Sequence, residues 1–426
     1  MSVERCCAVI LAAGKGMRMH SDKAKVLHEV LGAPMVSYVM KTVVELNPQR
    51  TLVVIGYQAD DVKKATLNSS LSFVSQKSQR GTGDALLACE DELKDCDCPV
   101  FVLGGDTPLI SPDTLKNLLA EHVNSKADAT VLTACIDDPT GYGRIVRDKS
   151  GRLDRIVEEN DATPKEKEIA EINSGIYIFN PATIFPVLKK IKPDNKKGEY
   201  YLTDTIAILR KEGRTVACAK SPNPSEVCGI NTRKDLVAIT NFLRWRILEE
   251  KMDAGVTIVD PSTTFIETNV EIGTDTIIHP FTVIRRNVKI GRQCEVGPYS
   301  HLRSGTVLED FSEVGNFVEV KKTRLGSHSK AKHLSYLGDA TIGKNVNIGA
   351  GTITANYDGK EKHPTTIEDG CSTGSGTVLV APVKMGKNSK TGAGAIVTKG
   401  QDVAEGNTVV GVPAKSIKKE GTALKR

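Results

Sequence analysis

Aromatic side chains make up only 4% of this 426-residue sequence, and tryptophan occurs once. Aromatics usually supply much of the volume of a large mixed core. The interior must therefore be filled mainly by aliphatics, which favours repetitive β packing. Long apolar runs are also missing: none reaches the ~18 residues that would cross a membrane. The opening Met1-Ser2-Val3-Glu4-Arg5 runs straight into a strand-like segment and is no secretory signal. The reading is a cytoplasmic chain with no membrane partner. Charge is nearly balanced, 57 basic against 52 acidic residues for a net +5, and no basic stripe is interleaved with aromatics. That excludes nucleic acid as a partner. The basic doublets Lys321-Lys322 and Lys418-Lys419 read as solvated surface or as contacts to a phosphorylated small molecule. Ten cysteines are present without one C-x-x-C pair. Cys6-Cys7 and Cys96-Asp97-Cys98 lack zinc or iron–sulfur spacing, and the others stand singly among apolar residues. They read as buried thiols of a reducing compartment with no metal cluster.

With 39% hydrophobic and 26% charged residues the chain is globular, and its length calls for two or three domains. The first part alternates strands and helices. Ala8–Leu11, Leu52–Ile55 and Val100–Leu103 are short branched runs that read as buried parallel strands. Helical periodicity lies between them, over Met35–Leu46 and Thr114–Ala120. This predicts an α/β, Rossmann-like, mostly parallel sheet over 1–231, with ligands at the carboxyl ends of its strands. A helical pattern carrying Leu236, Ile239, Phe242, Leu243 and Ile247 predicts a connecting arm over 232–253.

Beyond the arm, from 254 to 426, the period becomes six. Ile272, Ile278, Ile284, Ile290, Val296, Leu302, Leu308 and Val314 recur at that spacing. A small or short branched residue follows each after four positions, from Thr276 and Thr282 to Ser312 and Val318. Three hexads make one triangular coil, with the aliphatic on the axis and the small residue at a corner. This is the hexapeptide pattern of a left-handed parallel β-helix; an ordinary sandwich would show period two within its strands. The register slips by one at Val320–Leu325 and Leu337–Ile342, and Thr373 and Thr391 take axial slots near the end. A polar break from Ala355 to Thr365 reads as a loop thrown out of the coil.

Leu11-Ala12-Ala13-Gly14-Lys15-Gly16-Met17-Arg18 directly follows the first strand, and its glycines let backbone N–H groups approach phosphate. It closes neither as a P-loop nor as a dinucleotide fingerprint. This string, with Lys25-Val26-Leu27, resembles the signature of sugar-1-phosphate nucleotidyltransferases. Gln76–Thr82, Gly105–Leu109, Gly141–Arg144, Ile156–Glu158, Glu171–Gly175 and Gly229–Asn231 agree in order. With the β-helix behind it, the whole chain resembles the bifunctional N-acetylglucosamine-1-phosphate uridyltransferase/glucosamine-1-phosphate N-acetyltransferase family.

The resemblance implies a nucleotide site in which Leu11, Ala12, Gly14, Arg18 and Lys25 hold the triphosphate. Gln76, Gly81 and Thr82 would frame uracil, Gly143, Glu158 and Asn173 the sugar, and Asp106 with Asn231 would coordinate Mg²⁺. Lys25 and Arg18 would be its catalytic cations. In the β-helix it implies His333 as general base, oriented by Glu319, with Arg303, Lys321, Tyr336 and Asn347 gripping glucosamine 1-phosphate. Asn356 and Tyr357 would complete the pocket from the loop, and Ala350, Ser375 and Ala393 would touch acetyl-CoA. Acetyl-CoA and UTP are then co-substrates, and a homotrimer is the implied assembly. Three departures stand out. Ala24 replaces a proline before Lys25, the β-helix is shorter at its start by about two coils, and an arginine aimed at coenzyme A has no counterpart.

Two other readings compete. The β-helix could be only an oligomerisation scaffold behind a working nucleotidyltransferase. Alternatively it could be a zinc-dependent hydratase, which needs three imidazoles from among His301, His328, His333 and His363 to converge at a subunit boundary.

Overall fold

The computed structural model describes residues 5–66 and 71–417, so Lys418 and Lys419 lie outside the described residues. The chain divides into two compact units, Met1–Ile239 and Thr240–Arg426, with the dividing point inside the helix Arg233–Asp253.

In the first unit the branched runs do form strands. Cys7–Ala12 lies at the centre, pairing in parallel with Arg50–Ile55 on one side and Val100–Gly104 on the other. Leu71–Ser75 continues one edge in parallel. Glu171–Phe179 inserts antiparallel between Val100–Gly104 and Ala129–Cys135, and Val216–Lys220 closes the far edge. Arg144–Arg147 pairs antiparallel with Glu171–Phe179 and with Leu153–Val157 off this main path. The main path of the sheet is therefore mostly parallel with one reversed strand, Glu171–Phe179, which the sequence pattern does not announce. Val9, Val54, Val102 and Phe179 are fully buried in it. Helices Met35–Val44 and Pro112–Asn124 lie where the apolar periodicity places them; Ser111 caps the second by accepting from Thr114 N–H at 3.2 Å.

The second unit is a coil of parallel strands two to four residues long. Three parallel ladders run along it, joining strands to their counterparts one coil later, and the last pair, Thr408–Val410 with Lys415–Ile417, is antiparallel. Leu302 pairs with Val320, a coil of 18 residues, whereas Leu308 pairs with Leu325 and Val320 with Leu337, coils of 17. The register slips are thus single residues dropped at corners. The loop thrown out after Ala355 lengthens the coil that joins Ile342 to Ile367 to 25. Axial Ile278, Ile284, Val296, Leu302 and Leu337 are fully buried. So are the corner residues Thr276, Thr282 and Ser312, and the Thr276 hydroxyl serves the backbone: its Oγ1 donates to Gly291 O at 2.8 Å and accepts from Cys294 N–H at 3.1 Å. The axial Thr373 and Thr391 accept from the backbone N–H of Gly349 at 2.9 Å and Gly374 at 3.0 Å, and bond the Thr352 and Thr377 hydroxyls at 2.8 Å and 2.7 Å. Glycine after an axial aliphatic has a packing cause, since a β-carbon at Gly315 would collide with the Lys332 carbonyl oxygen one coil on.

One further regularity escapes the hexad reading. Asn269, Asp275, Phe281, Asn287, Gln293 and Tyr299 all have positive φ, between 52° and 60°, and stand one hexad apart. Each such corner costs a residue with a side chain on the order of 1 kcal/mol. Part of that cost is offset where corners stack: Phe281 on Tyr299 at 4.8 Å and Tyr299 on Phe317 at 5.2 Å.

The first coil is sealed by Arg244 from the helix. Its Nη1 donates to the carbonyls of Pro261 (2.6 Å), Ser262 (3.3 Å) and Thr264 (3.0 Å), and the guanidinium lies 4.9 Å from the Phe265 ring centre. Those carbonyls have no preceding coil to pair with. Arg244→Leu is expected to destabilise this unit by on the order of 3 kcal/mol, by stranding buried acceptors; denaturant unfolding of the two proteins measures it.

Candidate active sites

The carboxyl ends of the central parallel strands open into a cleft of about 620 Å³ in the first unit. Leu11, Gly14, Arg18, Lys25, Gln76, Gly81, Thr82, Asp106, Gly143, Glu158, Asn173 and Asn231 all line it. Ala12 is buried beneath the floor, and Ala13 lines the cleft in its place. The loop after the first strand turns through Gly16 at φ 75°, whose missing β-carbon makes room for Lys25. Lys25 then reaches Asp106 and Asn231 together: its ammonium bonds the Asp106 carboxylate and, at 2.7 Å, Asn231 Oδ1. Arg18 donates to the same Asn231 oxygen at 2.8 Å. Two cations and two oxygen ligands from four separated segments thus meet at one point. Such a point suits a polyanion with a divalent ion.

Further along the cleft, Gln76 Nε2 is held by Gly81 O at 3.1 Å and the Asp84 carboxylate at 2.8 Å, which fixes the amide plane. Gly81 has φ 121°, and a β-carbon there would meet the Tyr200 backbone. Asn173 donates to Tyr177 Oη at 2.7 Å and accepts from Gly175 N–H at 3.1 Å. Glu158 accepts from Thr203 Oγ1 at 3.1 Å, and burial pushes its carboxyl above the usual range. Asp204 is pushed up to about 6 by burial and by the neighbouring Glu158 and Asp161. Gln79, inside the Gln76–Thr82 stretch but given no role there, also lines the cleft, as do Glu199 and Thr203, which carried no signal in sequence.

In the second unit the coil register assembles a different group. Glu319 pairs with Tyr336, Lys321 with Gly338, and Asn316 with His333. Lys330 pairs with Asn347 one coil further on. Arg303 donates to Glu319 at 2.8 Å. Asn356, buried at the root of the thrown-out loop, bonds the Asp339 carboxylate, and a β-carbon on Gly338 would sit 2.6 Å from Tyr336 Oη. Lys362, returning on that loop, lies close enough to Lys321 to be depressed below the usual lysine range by it. Tyr357 turns outward and donates to Gly359 O at 2.7 Å. His333 is exposed beside this group, and no hydrogen bond joins it to Glu319 among the described residues. Ala350, Ser375 and Ala393 stand one above another: Gly376 N–H donates to Ala350 O at 2.7 Å and Gly394 N–H to Ser375 O at 2.8 Å. Glycines flank all three, leaving a backbone column almost bare of side chains.

The histidines weighed for zinc do not gather within the chain. His301 accepts from Arg285 at 3.2 Å, His328 stacks on Phe311 at 4.6 Å, and His363 bonds Asp358 at 2.6 Å. The thiols correct the sequence reading: Cys7, Cys96 and Cys98 converge, because neighbouring strands bring together residues nearly ninety positions apart.

Residues 7–223 match the nucleotidyl transferase family. Over the whole chain, the bifunctional protein GlmU of Heliobacterium modesticaldum is 44% identical across 95% of this sequence and 94% of its own. That of a Geobacillus species is 42% identical across 97% and 96%. The chain belongs to the bifunctional GlmU family. A solved UDP-glucose pyrophosphorylase complexed with UDP-glucose overlaps 57% of this chain and 99% of its own, at 18% identity and a TM-score of 0.47.

The GlmU resemblance has proline where this chain has Ala24, and the structure shows how alanine serves. Ala24 keeps φ −53° and ψ 137°, a conformation proline also adopts. Its free N–H donates to Gln58 Oε1 at 2.7 Å, while Gln58 Nε2 donates to Asp22 O at 3.0 Å. Ring rigidity is replaced by a side-chain clamp.

The raised Asp204 carboxyl has a measurable consequence. The folded state holds its proton more tightly than the unfolded chain does, so the neutral form is favoured on folding. Stability from this group is full below the unfolded value of 3.8 and is lost as pH rises through about 6. Asp204→Asn is expected to raise the melting temperature at pH 7.5 and leave it unchanged at pH 4; calorimetry at both pH values checks the sign.

Proposed function

We propose that the chain catalyses both transfers that lead to UDP-N-acetylglucosamine. In the second unit glucosamine 1-phosphate takes an acetyl group from acetyl-CoA; in the first, its product takes a uridylyl group from UTP. The observation that carries this reading is that one GlmU-family chain holds both constellations, Arg18–Lys25–Asp106–Asn231 in the cleft and Arg303–Lys321–Tyr336–His333 on the coil. We read 1–231 as the nucleotidyltransferase domain, 232–253 as the arm and 254–426 as the acetyltransferase domain.

In the cleft, a phosphate oxygen of the sugar phosphate attacks the α-phosphorus of UTP, and the bond to the β-phosphate breaks to release pyrophosphate. Such transfers need positioning and charge neutralisation more than covalent help. Lys25 and Arg18 draw the triphosphate against the glycine loop. Gln76, Gly81 and Thr82 receive the base, and Glu158, Asn173 and Gly143 the sugar. Asp106 and Asn231 would hold Mg²⁺; both offer oxygen to one cationic group, the ammonium of Lys25, and the pair suits an ion completed by phosphate and water. Mg²⁺, when bound, lowers the charge on the phosphates.

On the coil, the sugar amine attacks the thioester carbonyl, His333 accepts the proton the amine loses, and coenzyme A leaves as its thiol. Arg303, Lys321, Tyr336 and Asn347 grip the sugar phosphate, joined by Lys362, which the sequence reading passed over. Glu319, bound to Arg303, would reach His333 only after a change of partner. Ala350, Ser375 and Ala393 offer the bare column along which the acetyl-CoA arm would lie, with Asn356 and Tyr357 at its mouth. A homotrimer in the cytoplasm completes the reading; no helix among the described residues is long and apolar enough to cross a membrane.

Free thiol and pyrophosphate report the two reactions separately. With glucosamine 1-phosphate, acetyl-CoA, UTP and Mg²⁺ supplied, His333→Ala is expected to lower thiol release by about 10²–10⁴-fold. Uridylyl transfer from pre-acetylated sugar phosphate should be untouched in that variant. Asp106→Ala should do the reverse. Pyrophosphate release without any thiol release in the wild type would leave the β-helix as a scaffold. Gln58→Leu, which removes the clamp on Ala24, is expected to raise KM for UTP about fivefold with kcat nearly constant, the loss of roughly 1 kcal/mol of positioning.

A further inference from the structure

The sheet of the first unit has a second end, opposite the cleft, and its chemistry is unused by either transfer. Cys7 begins the central strand and donates its N–H to Pro99 O at 2.9 Å; Cys98 stands beside Pro99, just before the neighbouring strand Val100–Gly104. Cys96 sits on the turn leading into that strand. The three sulfurs form a nearly equilateral triangle, with sides of 3.2 Å (Cys7–Cys96), 3.3 Å (Cys96–Cys98) and 3.6 Å (Cys7–Cys98). All three are free thiols. Three cysteines used only as small core fillers would point at aliphatic neighbours, whereas these point at one another.

We propose that Cys7, Cys96 and Cys98 form a three-thiolate site for a soft, thiophilic d¹⁰ metal cation. Sulfur of this kind binds such ions at about 2.3 Å. A cation at that distance from all three sulfurs sits about 1.2 Å off their plane, so the triangle accepts it with little movement. Gln49 Oε1, 3.7 Å from Cys98 Sγ, borders a fourth position. Access is built in: Cys7 and Cys98 are buried while Cys96 is partly open to solvent. On binding, each thiol releases one proton to solvent and forms one sulfur–metal bond, so a divalent ion leaves the site with a single negative charge. Arg5, paired with Asp97 at 3.2 Å between the two cysteines, stands close by as a countercharge. Burial pushes the Cys7 thiol up to about 11, aided by the neighbouring Cys96. Burial also acts upward on Cys96, but hydrogen bonds from the Cys98 amide and the neighbouring thiols outweigh it and hold this thiol below the usual range. The site would tie the start of the strand that carries Leu11 at its other end, and it rests on neither proposed activity.

The test uses the full-length reduced protein without oxygen, titrated with Cd²⁺ alone and followed by the ultraviolet charge-transfer band of cadmium thiolate. One equivalent per chain should saturate the band. Cys7→Ser should abolish it, and the partly open Cys96→Ser should weaken binding at least tenfold. Cys89→Ser, a buried thiol elsewhere, should keep the full band. Uridylyl transfer by each variant, assayed with Mg²⁺ and no cadmium, reports whether it has folded; should Cys7→Ser fail there, Cys96→Ser decides. No band at one equivalent, an undiminished band in Cys96→Ser, or a disulfide among the three in the reduced wild type would overturn the proposal.

Discussion

Parallel pairing of strands is the constraint on which both units rest. A parallel strand cannot return by a tight hairpin, so the chain must travel before it pairs again. In the first unit it travels through helices, and the carboxyl ends of successive strands gather on one side. The glycine loop, Asp106 and the turn at Gln76 are thereby delivered to one cleft from distant stretches of sequence. In the second unit it travels round a triangle, and each residue comes to rest on one a coil earlier. Glu319 beneath Tyr336, and Ala350 in line with Ser375 and Ala393, are products of that arithmetic.

Neighbouring backbones in such ladders lie about 4.8 Å apart, which limits what each position tolerates. At Gly315 the backbone one coil on occupies the space of a β-carbon, and at Gly338 the Tyr336 ring and the Asn356 side chain do. The buried hydroxyls of Thr276 and Ser329 persist because each meets a backbone carbonyl of the next coil. The same closeness makes the sites rigid: Arg303, Lys321 and Tyr336 emerge from strands fixed on both sides, and only the loop carrying Tyr357 and Lys362 leaves the ladder.

Much of this was legible in the residues. The six-residue period located the axis, the corners and the thrown-out loop to within a residue, because one aliphatic per hexad has no other use. The branched runs located the central strands, and twelve of the thirteen residues assigned to the nucleotide and metal site line one cleft. Other features had no local signal. Glu171–Phe179 runs antiparallel although its composition matches its parallel neighbours. The left-handed corners at Phe281 and Tyr299 carry side chains that local preference disfavours, and only stacking one coil apart explains them. Ala12 differs from Ala13 only in which way a strand end faces. The thiol triangle was hidden because cysteine spacing is read along the chain, whereas Cys7 meets Cys96 across two strands.

The ladder of short strands also says how such a chain can change length. Each coil touches only the one before and the one after, so the β-helix behaves as a one-dimensional stack. Adding or removing a whole coil near its beginning alters no contact further along, provided Arg244 still finds exposed carbonyls to close the first turn. Length is then a quantity that can drift in whole steps while the chemistry stays fixed. A β-helix shortened at its start can keep every neighbour of Tyr336 and His333 in place, like a ruler cut at the end that carries no marks.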